Sequence, residues 1–110
     1  MNKERKATVT ILISVLKANS VLSSRMSRAV EKGIEASLGS EERALRAMEP
    51  YKETPNTAAN YRNTVSSITH LKRALEAVVD SEVELAADQL DAAMDPTARQ
   101  VHTKPKRVRR

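Results

Sequence analysis

Cysteine, phenylalanine and tryptophan are all missing from this sequence of 110 residues. Without cysteine there is no disulfide, no thiolate metal ligand and no cysteine nucleophile, a composition compatible with a reducing compartment. Tyr51 and Tyr61 are the only aromatic residues. Aromatic rings usually dominate core and interface burial. The Ala, Val, Leu and Ile present therefore predict a thin core for a chain of at most one domain. Burying apolar stripes against further copies of the chain is the expected remedy. Glycine occurs only at Gly33 and Gly39, too sparse for a phosphate-cradling loop. His70 and His102 are the only histidines and lie far apart. Neither has the partners of a metal or nucleophile–base motif, and His70, beside Lys72 and Arg73, reads as a surface histidine. The carboxylates lack EF-hand spacing. These absences predict a protein that is not an enzyme and has no cofactor, no metal and no small-molecule substrate.

Long hydrophobic runs are also lacking. The longest uncharged stretch near the start, residues 7–16, covers ten residues and ends at Lys17. That is too short to span a bilayer, and no convincing small-residue cleavage site comes after it. The expectation is no membrane partner, no cleaved signal peptide, and a location in the cytoplasm or within a viral particle.

What the chain does have is charge arranged in blocks. Residues 76–96 hold seven Asp/Glu and no Lys/Arg, whereas residues 97–110 hold six Lys/Arg and no acid. The net charge of +5 thus conceals a strongly acidic segment succeeded by a basic arm. Lys104, Lys106, Arg107, Arg109 and Arg110 are the candidate nucleic-acid-binding residues, because such arms release counterions when they meet phosphates. The same arm also suits an acidic protein surface or a solvated end. Its resemblance to a nuclear-localisation pattern or a dibasic cleavage site is too short to carry weight.

The apolar spacing is helical. In residues 5–38, Ile11, Val15, Ala18, Leu22, Met26, Ala29 and Gly33 recur at three- and four-residue steps, the period of one helix face. Gly39 offers a stop, and Ser40 a cap for a short helix reaching about residue 48. Pro50 and Pro55 prevent continuation there, and Asn56 or Thr57 can cap the second long helix. In residues 58–94 the stripe is Ile68, Leu71, Leu75, Val79, Val83, Ala86, Leu90 and Met94. Glu76, Asp80, Glu84 and Asp88 line one face at four-residue spacing. Asp95-Pro96 suits a cap and the first residue of a further turn. A strand is the competing reading for residues 7–15, since Val9, Ile11, Ile13 and Val15 alternate there.

The predicted fold is all-α: two long helices in an antiparallel hairpin, each roughly 50–57 Å at 1.5 Å per residue, with a short helix at the bend and a basic C-terminal extension. The predicted division is a helical hairpin oligomerisation domain, 1–96, and a basic arm, 97–110. A two-helix hairpin leaves its stripes half covered, so Ile11, Val15, Leu22, Met26, Leu75, Val79 and Leu90 are the candidate homo-oligomer interface. Arg25, Arg28 and Lys32 form a basic row at i, i+3, i+7 that is either a solvated face or a phosphate contact. A helix-turn-helix fits poorly, because the next apolar position falls on Gly39. Function is expected to be that of a structural or assembly subunit contacting DNA or RNA through its arm, a design shared with viral particle and DNA-packaging components. The alternative is a scaffold, chaperone, filament or adaptor subunit whose tail docks on acidic protein.

Overall fold

A computed structural model describes residues 1–95, and all its regular structure is helical. Four α-helices run in order: α1 Lys3–Ala18, α2 Ser24–Met48, α3 Pro55–Val79 and α4 Val83–Met94. A 3-10 turn, Glu49–Tyr51, lies between α2 and α3.

Each of the two long expected helices is broken once. α1 is capped by Asn2, whose side chain accepts the Arg5 backbone N–H at 2.8 Å. The strand alternative for 7–15 loses to α1, within which the hydroxyls of Thr8, Thr10 and Ser14 donate to carbonyls four residues earlier. The core-facing residues of α1 are Val9, Leu12, Ile13 and Leu16, a 3-4 helical pattern. At Asn19 the backbone turns extended, and Ser23 caps α2 by accepting the Met26 N–H at 3.1 Å. The stripe running unbroken from Ile11 to Gly33 is therefore corrected: Ile11 and Ala29 face solvent.

The second break lies at Asp80–Glu82. Ser81 takes φ 62°, and its N–H donates to the Val78 carbonyl while Glu82 N–H donates to that of Ala77. This is the Schellman arrangement that closes a helix through a left-handed residue. The row Glu76, Asp80, Glu84, Asp88 is thereby split between α3 and α4.

Gly39 does not stop a helix, and Ser40 does not start one. α2 runs through both to Met48. Glycine inside a helix costs about 1 kcal/mol relative to alanine. Burial of Val30, Ile34, Ser37 and Glu41 on one face offsets it. Pro55 likewise opens α3 rather than ending an element, with Thr54 as the cap position in place of Asn56 or Thr57. Proline suits the first helical turn because its missing N–H has no intrahelical acceptor there.

The four helices close a ring of neighbours: α1 packs on α2 and α4, and α3 packs on α2 and α4. Among the described residues no Cα of α2 comes within 8 Å of one in α4, nor α1 of α3. The extents, 45 × 37 × 21 Å, fall short of the 50–57 Å helices expected. A 21 Å thickness corresponds to two helix layers. The scarcity of large side chains is resolved by close approach. Ala74, Ala77, Ala86, Ala87, Ala92 and Ala93 are buried, and Ser67 Oγ on α3 donates to the Ala93 carbonyl of α4 at 2.6 Å. Leu16, Ile34, Leu71 and Leu90 fill the space between.

Candidate functional site

The arm residues Lys104, Lys106, Arg107, Arg109 and Arg110, with His102 and the turn expected after Asp95, lie outside the described residues. The structure does show the arm's root. α4 packs its alanines inward and presents Glu84, Asp88 and Asp91 to solvent. A shallow groove of about 420 Å³ runs between the end of α1 and the start of α4, lined by Leu16, Lys17, Asn19, Val83, Glu84 and Asp88. Basic α1 and acidic α4 therefore lie side by side, as their opposite charges favour.

The seven candidate interface residues occupy three environments. Leu90 is 0% exposed within the chain's own core. Val15, Leu22, Met26 and Leu75 are half-buried, and Val15, Leu22 and Leu75 pack against that core. Ile11 and Val79 are exposed, at 64% and 63%. Val79 shares an open groove of about 420 Å³ with Leu75, Glu76 and Asp80. Val21 and Leu85 are further exposed apolar side chains.

Two polar clusters join side chains on different elements, one across 36 residues and one across three and twelve. Glu41 on α2 is 2% exposed. Its Oε2 accepts Arg5 Nε at 2.8 Å, and the Met1 amine lies 3.9 Å from Oε1. This buried pair ties α1 to α2, and nothing in the local sequence separates Glu41 from Glu42. The second cluster holds the bend. Lys52 Nζ donates to Glu49 Oε2 and the Tyr61 hydroxyl to Oε1, both at 2.7 Å. Those hydrogen bonds, Lys52's first, hold the Glu49 carboxyl below its ordinary pKa. Glu49 in turn raises the pKa of Lys52 and of Tyr61. Lys52 Nζ also sits 5.9 Å from the Tyr61 ring centroid, within cation–π range.

His70 is half-buried rather than a free surface group: its Nδ1 lies 2.7 Å from Gln89 Oε1, joining α3 to α4. Among the described residues no group of three or more His, Asp or Glu is placed to hold a metal ion, and no helix is long and apolar enough to cross a membrane.

The chain matches no family model, no curated protein and no solved structure.

Proposed function

We propose that this chain is an assembly subunit that grips nucleic acid electrostatically through its basic arm, 97–110, and self-associates through apolar side chains left outside the four-helix core. The observation that carries the reading is the abrupt charge reversal, from seven acids in residues 76–96 to six cations in residues 97–110. The acidic segment packs into the helical body through α4, so the arm is attached to a surface that repels phosphate. Lys and Arg on such an arm gain free energy by releasing condensed counterions, and several arms on one oligomer turn weak contacts into firm binding.

The four helices bury Leu71, Ala86 and Leu90 among themselves, so self-association needs less surface than an isolated hairpin would. The exposure of Val79, with half-buried Leu75 beside it, supports assigning self-association to this groove. The rival role, a protein-binding adaptor, uses the same arm on an acidic protein surface.

Size exclusion with light scattering, with and without a short DNA duplex at two salt concentrations, tests the reading. A defined oligomer that gains mass with duplex at low salt only is expected. A particle of unchanged mass at both salts overturns nucleic-acid binding, and a monomer overturns assembly. The triple variant R107A/R109A/R110A should lose the low-salt complex while keeping its helicity. If it retains wild-type binding, the arm is not the contact.

A further inference from the structure

Because α2 runs through Gly39 without a break, it brings together residues that a helix end there would have separated. At 3.6 residues per turn, Arg25, Arg28, Lys32, Arg43 and Arg46 all fall on the side of α2 opposite the buried Val30, Ile34, Ser37 and Glu41. All five are exposed, and among the described residues none joins an ion pair. The row is about 32 Å long at 1.5 Å per residue. Exposed Ala29, Ala36 and Ala47 flank it on one side, and Glu31, Glu35 and Glu42 on the other.

We infer that the outward face of α2 is a second contact surface for a nucleic-acid backbone, reading phosphates without base specificity. This deepens the function proposed for the arm and rests on its assignment of nucleic acid as the partner. The favoured chemistry comes from the row itself. Four of its five cations are arginine, whose planar fork suits phosphate oxygens, and the alanine flank lets a backbone approach closely. The apolar face of α2 is spent in the core, so this helix has none to insert into a lipid surface. Acidic α4 is held off α2, with no Cα pair within 8 Å among the described residues. A phosphate chain lying on α2 thus avoids the α4 carboxylates. The arm and the row then form two separate cationic contacts on one chain, which effective concentration makes stronger than either alone.

The test is fluorescence anisotropy with a labelled 24-base-pair DNA duplex, an RNA duplex of equal length, and polyglutamate and anionic vesicles as non-nucleic polyanions. Log affinity is plotted against log salt. Each lost phosphate contact on B-DNA lowers the slope by about 0.9, so R25Q/R28Q/K32Q should lower it by about 2.7 and R43Q/R46Q by about 1.8. E35Q/E42Q, which removes bordering acids, should tighten binding. Glutamine keeps helix propensity close to that of arginine and lysine, and far-ultraviolet circular dichroism verifies each fold. Should the triple variant fail to fold, R43Q/R46Q and E35Q/E42Q decide alone. If folded α2 variants keep the wild-type slope while the arm variant loses binding, the α2 face is not a contact and the arm reading stands. If the α2 variants weaken binding and the arm variant does not, the reverse holds. Equal or tighter binding to polyglutamate or vesicles overturns the nucleic-acid assignment for both.

Discussion

Replacing Gly39 with alanine tests the continuity of α2, on which the alignment of its basic face depends. Gly39 is half-buried in mid-helix and has no positive φ. A Cβ built there meets only Arg43 Nη1, at 3.6 Å, an ordinary contact. Nothing opposes the intrinsic gain, so Gly39→Ala should stabilise the chain by about 1 kcal/mol through helix propensity and a less flexible unfolded state. For a domain of this size that raises Tm by about 4–8 °C. Urea unfolding monitored at 222 nm provides the equilibrium value: the midpoint should rise with the m-value unchanged. If Gly39 were instead a helix-ending residue in the left-handed region, alanine would be strained and the midpoint would fall. A drop in stability therefore refutes the continuous helix. Gly33 makes an internal contrast, because a Cβ there meets Leu12 Cδ2 at 2.9 Å. The same substitution at Gly33 should gain less than at Gly39, because Leu12 must shift to admit the methyl group.

Ser81→Gly should also stabilise, by about 1 kcal/mol, since Ser81 holds φ 62° where glycine fits without penalty; a neutral or lower urea midpoint would contradict the Schellman geometry. Arg5→Ala removes the hydrogen-bonded partner of a carboxylate whose side chain is only 3% exposed and leaves it only the Met1 amine at 3.9 Å. Breaking a buried pair costs about 3–5 kcal/mol, and the partial exposure of Arg5 lowers the expectation to about 2–3 kcal/mol. A loss below roughly 0.5 kcal/mol, within the range of exposed pairs, would show that the pair is solvated. At the bend, Lys52→Met should raise the Glu49 pKa more than Tyr61→Phe does, since Lys52 is the larger cause of its depression; carboxyl carbon NMR titration reads both. Because the folded-state pKa of Glu49 is lowered, its contribution to stability is present above the unfolded value of 4.5 and is lost as pH falls through the lowered one. Val79→Asp should produce a folded monomer, because Val79 is 63% exposed, with a lower Tm, because it loses the stabilisation of association and adds an acid at the C-terminus of α3. An oligomer persisting in light scattering would remove Val79 from the interface.

The helical class was legible because apolar residues recur at three- and four-residue steps. Ile68, Leu71 and Ala86 of the second stripe are buried, and so is Leu90, which was expected at an interface between copies. The breaks were not legible, for two different physical reasons. At Asn19–Ser23 the signal was present, with a serine able to cap the next helix, but the apolar spacing on either side happened to stay in phase. At Asp80–Glu82 no glycine or proline marks the turn. Serine occupies the left-handed position, and only the hydrogen bonds of Ser81 and Glu82 to preceding carbonyls reveal it. Glu41 was invisible for a third reason. Its burial depends on Arg5, 36 residues away, and local sequence contains no trace of that pairing.

The charge pattern shows how one misplaced helix end hides a surface. With a stop at Gly39, Arg43 and Arg46 belong to a separate short helix of unknown orientation, and Arg25, Arg28 and Lys32 are an ordinary solvated row. With the helix continuous, the seven residues from 39 to 46 complete two turns at 3.6 residues each, so Arg46 returns close to the angular position of Gly39, on the solvent side. The five cations then share one face. Packing decided the matter, not local propensity: Glu41, two residues beyond Gly39, is buried against α1 through Arg5. α2 packs on both α3 and α1, and that packing carries the helix past glycine and sets the register of every arginine beyond it. The Arg5–Glu41 pair is thus coupled to the basic face without touching it. Its loss should loosen the second half of α2 and weaken the contribution of Arg43 and Arg46 to the salt slope while sparing that of Arg25, Arg28 and Lys32. Measuring R5A in the anisotropy experiment reads this coupling directly, and a slope equal to wild type would refute it.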